Sequence, residues 1–372
     1  MAKPQPKQPY NINPEPVRWS LLAPLFALVL IFLPVPAWVV EDFYSRDMYP
    51  WLQNIFTGGT NFLPLALLDA FLIALALATL FRIRRLFNVM RQRGVVDAVW
   101  EAARRVARFA GLVTILFFWG WGFNYRRQPL EMALPEKKLA RPSLEQVQAA
   151  VIDANSLGSR LRPLLKGPEL GYPEIATRLK VPLNAALKKL GRPALSREGR
   201  PKYSLILTPF FTGAGMTGLL NPLGLETIVH PDLLPHERPF ALAHEWARLA
   251  GYADAGEAKA VAWLACMNGG NELAYSASLF LIQEAGAALP AEIRERVFQR
   301  LDAGLRSDLD AGIRARTQSP AVQRTAERVY DEYLRTSDTT DGSRTDRRAI
   351  ALIVTPSVKD VLARYEVTRA EK

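Results

Sequence analysis

Three stretches within the first 125 residues are almost purely apolar, and beyond them apolar side chains return at helical or alternating spacing. Residues 19–40, "WSLLAPLFALVLIFLPVPAWVV", carry no charge over 22 positions, enough to cross a hydrocarbon core that takes about 20 helical residues. Pro24, Pro34 and Pro36 should bend or end that helix. A cleavable signal peptide is disfavoured, because the preceding segment is long and Pro-rich and no small-residue cleavage site follows. Residues 61–81, "NFLPLALLDAFLIALALATLF", and 106–125, "VARFAGLVTILFFWGWGFNY", supply a second and a third span. The third closes on Trp119, Trp121 and Tyr125, rings that favour the headgroup level.

From residue 142 onward the texture changes. "PSLEQVQAAVIDANS" puts Leu144, Val147, Ala150 and Val151 at helical spacing behind a Ser cap, and "YPEIATRLKVPLNAALKKLG" (172–191) predicts a helix interrupted at Pro182. "YSLILTPFF" (203–211) and "LETIVH" (225–230) read as strands on either side of a Gly-rich loop, "TGAGMTGLLNPLG". Pro239 suits a first helical turn, and the remainder reads as helical, broken at Gly251, Gly269, Gly270, Pro290, Pro320 and residues 337–342. The fold expected is α+β: three N-terminal transmembrane helices in an anchor of residues 1–125, then a mainly helical soluble domain with a small β-sheet over 126–372.

Charge gives this arrangement a direction. The formal net charge is +11. Residues 1–125 hold 12 Lys/Arg against 7 Asp/Glu, and residues 126–372 hold 35 against 29, alternating in sign as on solvated helices. Clustered cations with interleaved aromatics are missing, so no nucleic-acid partner is expected. The Arg-rich stretch 82–105 between spans two and three reads as a cytoplasmic loop, whereas residues 41–60 carry one Arg and three acids. The N-terminus is therefore expected in the cytoplasm and the C-terminal domain outside it, in a multi-pass protein whose first partner is the bilayer. Asp69 falls inside the second span, at a cost of about 3 kcal/mol on insertion scales, and is expected to act there or to fix packing through Asn124 or a backbone group. The lone cysteine, Cys266, sits in an apolar stretch and excludes an intrachain disulfide.

The chemistry lies in "PFALAHEWARLAGY" (239–252). In H-E-x-x-H two histidines one helical turn apart share a Zn²⁺, and the Glu polarises the metal-bound water. Here His244 and Glu245 are present, Arg248 stands where the second histidine would, and Glu257 opens the next helix. A guanidinium is always protonated and only donates, so it cannot replace an imidazole on a metal.

Several motifs together resemble a family of bacterial membrane proteins, a domain-of-unknown-function group of the DUF3810 type with a zincin-like, gluzincin-type peptidase domain behind membrane helices. They are the aromatic exit "FFWGWGFNYRR", a "G..G..NP...E" stretch at Gly215, Gly218, Asn221, Pro222 and Glu226, "PF..AHE.A" with "G.A..GEA", and the acid at Asp69. The resemblance implies His244 as first zinc ligand, Glu245 as general base and Glu257 as third ligand. Arg248 departs from that pattern, and Thr345 and Asp346 stand where a Ser-Tyr pair is expected. Arg248 is expected to fill the metal space and pair with Glu257 or Glu245, so that no cofactor is needed. A zinc site rebuilt with His236 or Asp254 is the alternative, and His230 reads as an ordinary strand-end histidine.

Three functions follow. The first is a pseudopeptidase of the bacterial plasma membrane that binds peptide or an envelope protein, with an edge strand drawn from residues 211–230. The second is an active zinc metallopeptidase with a non-standard ligand set. The third is a structural or assembly factor of the envelope.

Overall fold

The computed structural model describes residues 21–316, apart from 136 and 166, and residues 342–358, apart from 357. The expected break at Pro320 and that at 337–342, up to residue 341, lie outside the described residues, as do the side chains of Thr345 and Asp346. The chain is mainly helical with one two-stranded sheet, and it divides into two compact units.

The first unit comprises residues 21–34 and 74–119. Helix α1 (Leu22–Phe32) ends at the Pro34/Pro36 pair, as the loss of a backbone donor at each proline requires. Helices α3 (Leu67–Arg93) and α4 (Val95–Gly120) are separated only by Gly94, whose φ of 92° suits glycine. The Arg-rich stretch 82–105 is therefore not a loop. It is helix, turn and helix, because Arg is a strong helix former and nothing but Gly94 interrupts it. At Gly111 a Cβ would meet the backbone of Ala23 and Pro24 within 2.8 Å, so glycine permits that approach. Among the described residues no single helix is long and apolar enough to cross a membrane. Leu22–Phe32 and Ala37–Thr60 pass that test together across the break between them.

The second unit comprises residues 35–73 and 120 onward, so a segment that hydropathy assigns to the anchor packs with the C-terminal part. It begins with a short turn (Ala37–Val39) and a π-helical stretch (Val40–Met48) that leads into α2 (Tyr49–Thr60). After 3-10 turns at Gly122–Arg126 and Leu130–Ala133 come α5 (Leu144–Leu161), with a Ser143/Gln146 capping box, and α6 (Tyr172–Lys189). Pro182 lies inside an unbroken α6, buried with Leu179 and Leu183, so packing overrides the expected interruption.

The strand expected over 203–211 is in part helix α7 (Thr208–Ala214), started by Pro209 in its first turn and ended by Gly215 in the left-handed region. The Gly-rich stretch expected as a loop holds β1 (Gly218–Asn221), antiparallel to β2 (Glu226–Val229) with Gly218 opposite Val229 and Asn221 opposite Glu226. Helices α8 (Arg238–Leu249), α9 (Ala255–Met267), α10 (Asn271–Ala287), α11 (Ala291–Gln299), α12 (Ala303–Arg316) and α13 (Gly342–Val354) follow. The Ala-rich α9 is buried along most of its length, and its small side chains let α6, α8, α10 and α13 approach it closely.

Candidate functional site

Helix α8 runs beneath β1 and carries His244 and Glu245 in its middle. Glu245 is buried, and β1 passes so close that a Cβ on Gly218 would lie 3.0 Å from its Cγ and 2.8 Å from the Ile228 carbonyl oxygen. His244 Nδ1 stands 3.4 Å from Glu245 Oε1. His244 Nε2 and Glu245 Oε2 are buried with no hydrogen-bond partner among the described residues. Burial holds the His244 imidazole below its ordinary pKa, outweighing the adjacent carboxylate, so the ring is neutral at pH 7.

His244 opens onto a cleft of about 350 Å³ shared with Thr217, His236, Lys259, Phe280 and Glu284. Lys259 pairs with Glu284 at 2.5 Å, and Phe240 stacks on Phe280 with ring centres 3.7 Å apart. Sequence reasoning missed Lys259 and Glu284. The signal was available, since each is the single charge in an apolar run, "AVAWLAC" after Lys259 and "SLFLIQ" before Glu284. His230 lies elsewhere, with Nδ1 accepting from the Asp232 N–H at 3.0 Å and Nε2 2.9 Å from the Thr212 hydroxyl, a strand-end arrangement.

Arg248, one turn after His244, lays its guanidinium over the Trp121 ring, 5.6 Å from the centroid. Trp121 itself is only 1% exposed, a correction to its expected place at a headgroup level. The aromatic exit motif instead folds against the end of α8. Arg127 donates to the carbonyls of Ala250 and Gly251 at 3.2 and 3.0 Å and pairs with buried Glu41, and Gly251 keeps φ at 89° where a Cβ would strike Arg127 and Asn124.

Glu257 occupies the first turn of α9, which Asp254 caps by accepting the Glu257 N–H at 2.8 Å. Its Oε1 accepts from the Leu130 N–H at 2.8 Å and from Arg348 Nη2 at 2.7 Å. Arg348 also donates to Glu131 at 2.8 Å and stands 3.6 Å from Asp254. Burial first, and Asp254 next, push the Glu257 carboxyl up to about 7, with Arg348 opposing them. The guanidinium on Glu257 therefore belongs to Arg348 of α13, three residues past Thr345. Arg248 was expected in that role, and it faces Trp121 because the exit motif brings that ring to α8.

Zinc does not fit these donors. His244 offers one open imidazole nitrogen, position 248 offers a cation, and an oxygen of Glu257 is already held by Arg348 and Leu130. Among the described residues no group of three or more His, Cys, Asp or Glu side chains is arranged to hold a metal ion.

The remaining motif residues join β2 to α3. Glu226 accepts from the Leu67 and Leu68 N–H groups at 2.9 and 3.2 Å, from Lys202 Nζ at 2.6 Å and from Asn221 Nδ2 at 2.9 Å. It is a carboxylate cap on the positive end of that helix. Asp69, one turn on, accepts from the Ser204 hydroxyl and from the Leu205 N–H at 2.7 Å, so its partners are these two groups and not Asn124. The model of the family described as "Protein of unknown function (DUF3810)" matches residues 44–354. The chain belongs to that family. The DUF3810 match thus covers His244, Glu245, Arg248, Glu257 and Arg348 and leaves Glu41 just outside it. No curated protein and no solved structure matches the chain.

Proposed function

We propose that this DUF3810 protein is a membrane-anchored, zincin-like pseudopeptidase of the bacterial envelope, which binds a peptide or protein segment in the His244 cleft beside β1 and does not hydrolyse it. The N-terminus lies in the cytoplasm and the second unit outside it in this reading. The observation that carries it is the Arg348–Glu257 pair. A guanidinium stands on the carboxylate that would be the third zinc ligand, in a chain that already has Arg248 for the second. A buried carboxylate needs a cation, and a fixed internal one relieves the need for metal. The cleft keeps what recognition requires: a neutral imidazole, an ion pair and stacked aromatic rings beneath a strand whose pairing partner is on one side, β2.

Metal content of the purified full-length protein in detergent tests the reading. No stoichiometric zinc is expected in the wild type or in Arg248→His alone, since Arg348 still holds Glu257. Zinc uptake is expected when Arg248→His is combined with Arg348→Ser. Tightly bound zinc in the wild type, lost in His244→Ala, overturns the proposal in favour of an active metallopeptidase.

A further inference from the structure

The second unit carries an outward-facing apolar patch around the entry to α3. Phe62, 85% exposed, comes with Leu63 and Leu65 from the segment before the helix, and Leu205, 72% exposed, comes with Ile206 and Phe210 from the segment around the start of α7. The two segments are tied together. The Ala66 N–H donates to the Tyr203 carbonyl at 3.4 Å, and Asp69 in the first turn of α3 accepts from Ser204 and Leu205. Beneath them Ala66, Phe211 and Ile228 form a buried cluster, so the tip side chains are surplus to that core. A contiguous apolar surface of this kind on a folded unit marks an interaction site.

We infer that Leu205, Ile206 and Phe210, with Phe62 to Leu65, form a hydrophobic wedge that enters the boundary between headgroups and acyl chains beside the first turn of α3. The inference rests on the proposed membrane anchoring, with α3 entering the bilayer beyond its first turn. The bilayer is the occupant because the patch is continuous with outward apolar side chains of α3 itself, Phe71 and Ile73, within the same unit. Its rim is basic and polar: exposed Arg200 donates its N–H to Asn61 at 2.9 Å, and exposed Arg197 donates to Asn54 at 3.1 Å. Guanidinium groups beside an inserted apolar tip suit anionic headgroups. Asp69 then lies at the boundary, its carboxylate met by the loop that accompanies it into the interface, and the insertion cost of a mid-span acid does not arise.

Spin labelling of the full chain in phosphatidylglycerol/phosphatidylethanolamine vesicles tests this. Cys266 is buried, so single labels go to Leu205→Cys, to Leu77→Cys in α3, and to Val181→Cys on the exposed face of α6. The Leu205 label is expected to favour relaxation by oxygen over a water-soluble nickel complex several-fold more than the Val181 label, as the Leu77 label does. Ile206→Cys repeats the measurement should Leu205→Cys fail to fold. A nickel-accessible Leu205 label beside a lipid-buried Leu77 label overturns the wedge and leaves the membrane anchoring intact. Nickel access at Leu77 as well overturns both. A Leu205 label shielded from both reagents assigns the patch to protein, a second copy included, and also overturns the wedge.

Discussion

The two halves of the family motif have met different ends. Around Glu257 the polar groups are closed upon one another: an N–H from Leu130, a cap from Asp254 and a guanidinium shared with Glu131. Around His244, which lines the cleft, Nε2 and an oxygen of the neighbouring Glu245 are buried and lack hydrogen-bond partners among the described residues. The closed half can be maintained by folding alone. The open half has a desolvation cost that its own side chains do not recover, and the proposed peptide ligand would offset it.

Breaking the closed half should have the largest effect. Arg348→Ala leaves Glu257, Glu131 and Asp254 without their shared cation and should cost about 3–5 kcal/mol in denaturant unfolding of the full chain, with Glu257→Gln restoring much of it in the double variant. Arg248→Ala should cost about 1–2 kcal/mol through its lost stacking on Trp121, read in the same experiment. The Glu257 carboxyl, raised in the folded state to about 7 from its ordinary 4.5, contributes stability that is fully present below 4.5 and lost as pH rises through 7. Glu257→Gln should flatten that component of the stability profile between those limits. The smallest stability effect belongs to the open half: His244→Gln should change unfolding by less than about 1 kcal/mol, because Nε2 has no hydrogen bond to lose among the described residues and the amide keeps a polar group there. The same substitution should weaken capture of a peptide ligand, where Arg348→Ala acts only through stability.

Much of this was legible from the sequence, and the gaps have physical causes. Ser143 and Gln146 announce α5 through a reciprocal cap, and "LETIVH" announces β2 by its β-branched side chains. "YSLILTPFF" misled because its aromatic and β-branched side chains suit a strand, while Ser204 accepting the Leu207 N–H and Pro209 in the first turn start a helix there. Gly218 weakens the strand signal of β1 for the reason that makes it necessary, the close passage of Glu245. His244, Glu245 and Glu257 could be named from spacing within two neighbouring helices. Arg348 could not, since it lies 91 positions from Glu257 and only tertiary packing joins them.

The interleaving of residues 35–73 with the C-terminal part has a practical consequence for anyone who wishes to express the second unit alone. A fragment that begins at residue 126 discards Glu41, the partner of Arg127 and Arg192, and Thr60, whose carbonyl receives Lys202. It also discards Tyr49, whose hydroxyl holds the Leu249 carbonyl at the end of α8, and the helix start that Glu226 caps. Such a truncation would leave buried Lys202, Arg127 and Arg192 each without one of its partners, and it should aggregate. A version of the second unit must instead retain Val35 to Ile73 and bridge directly to Gly120, bypassing the residues between.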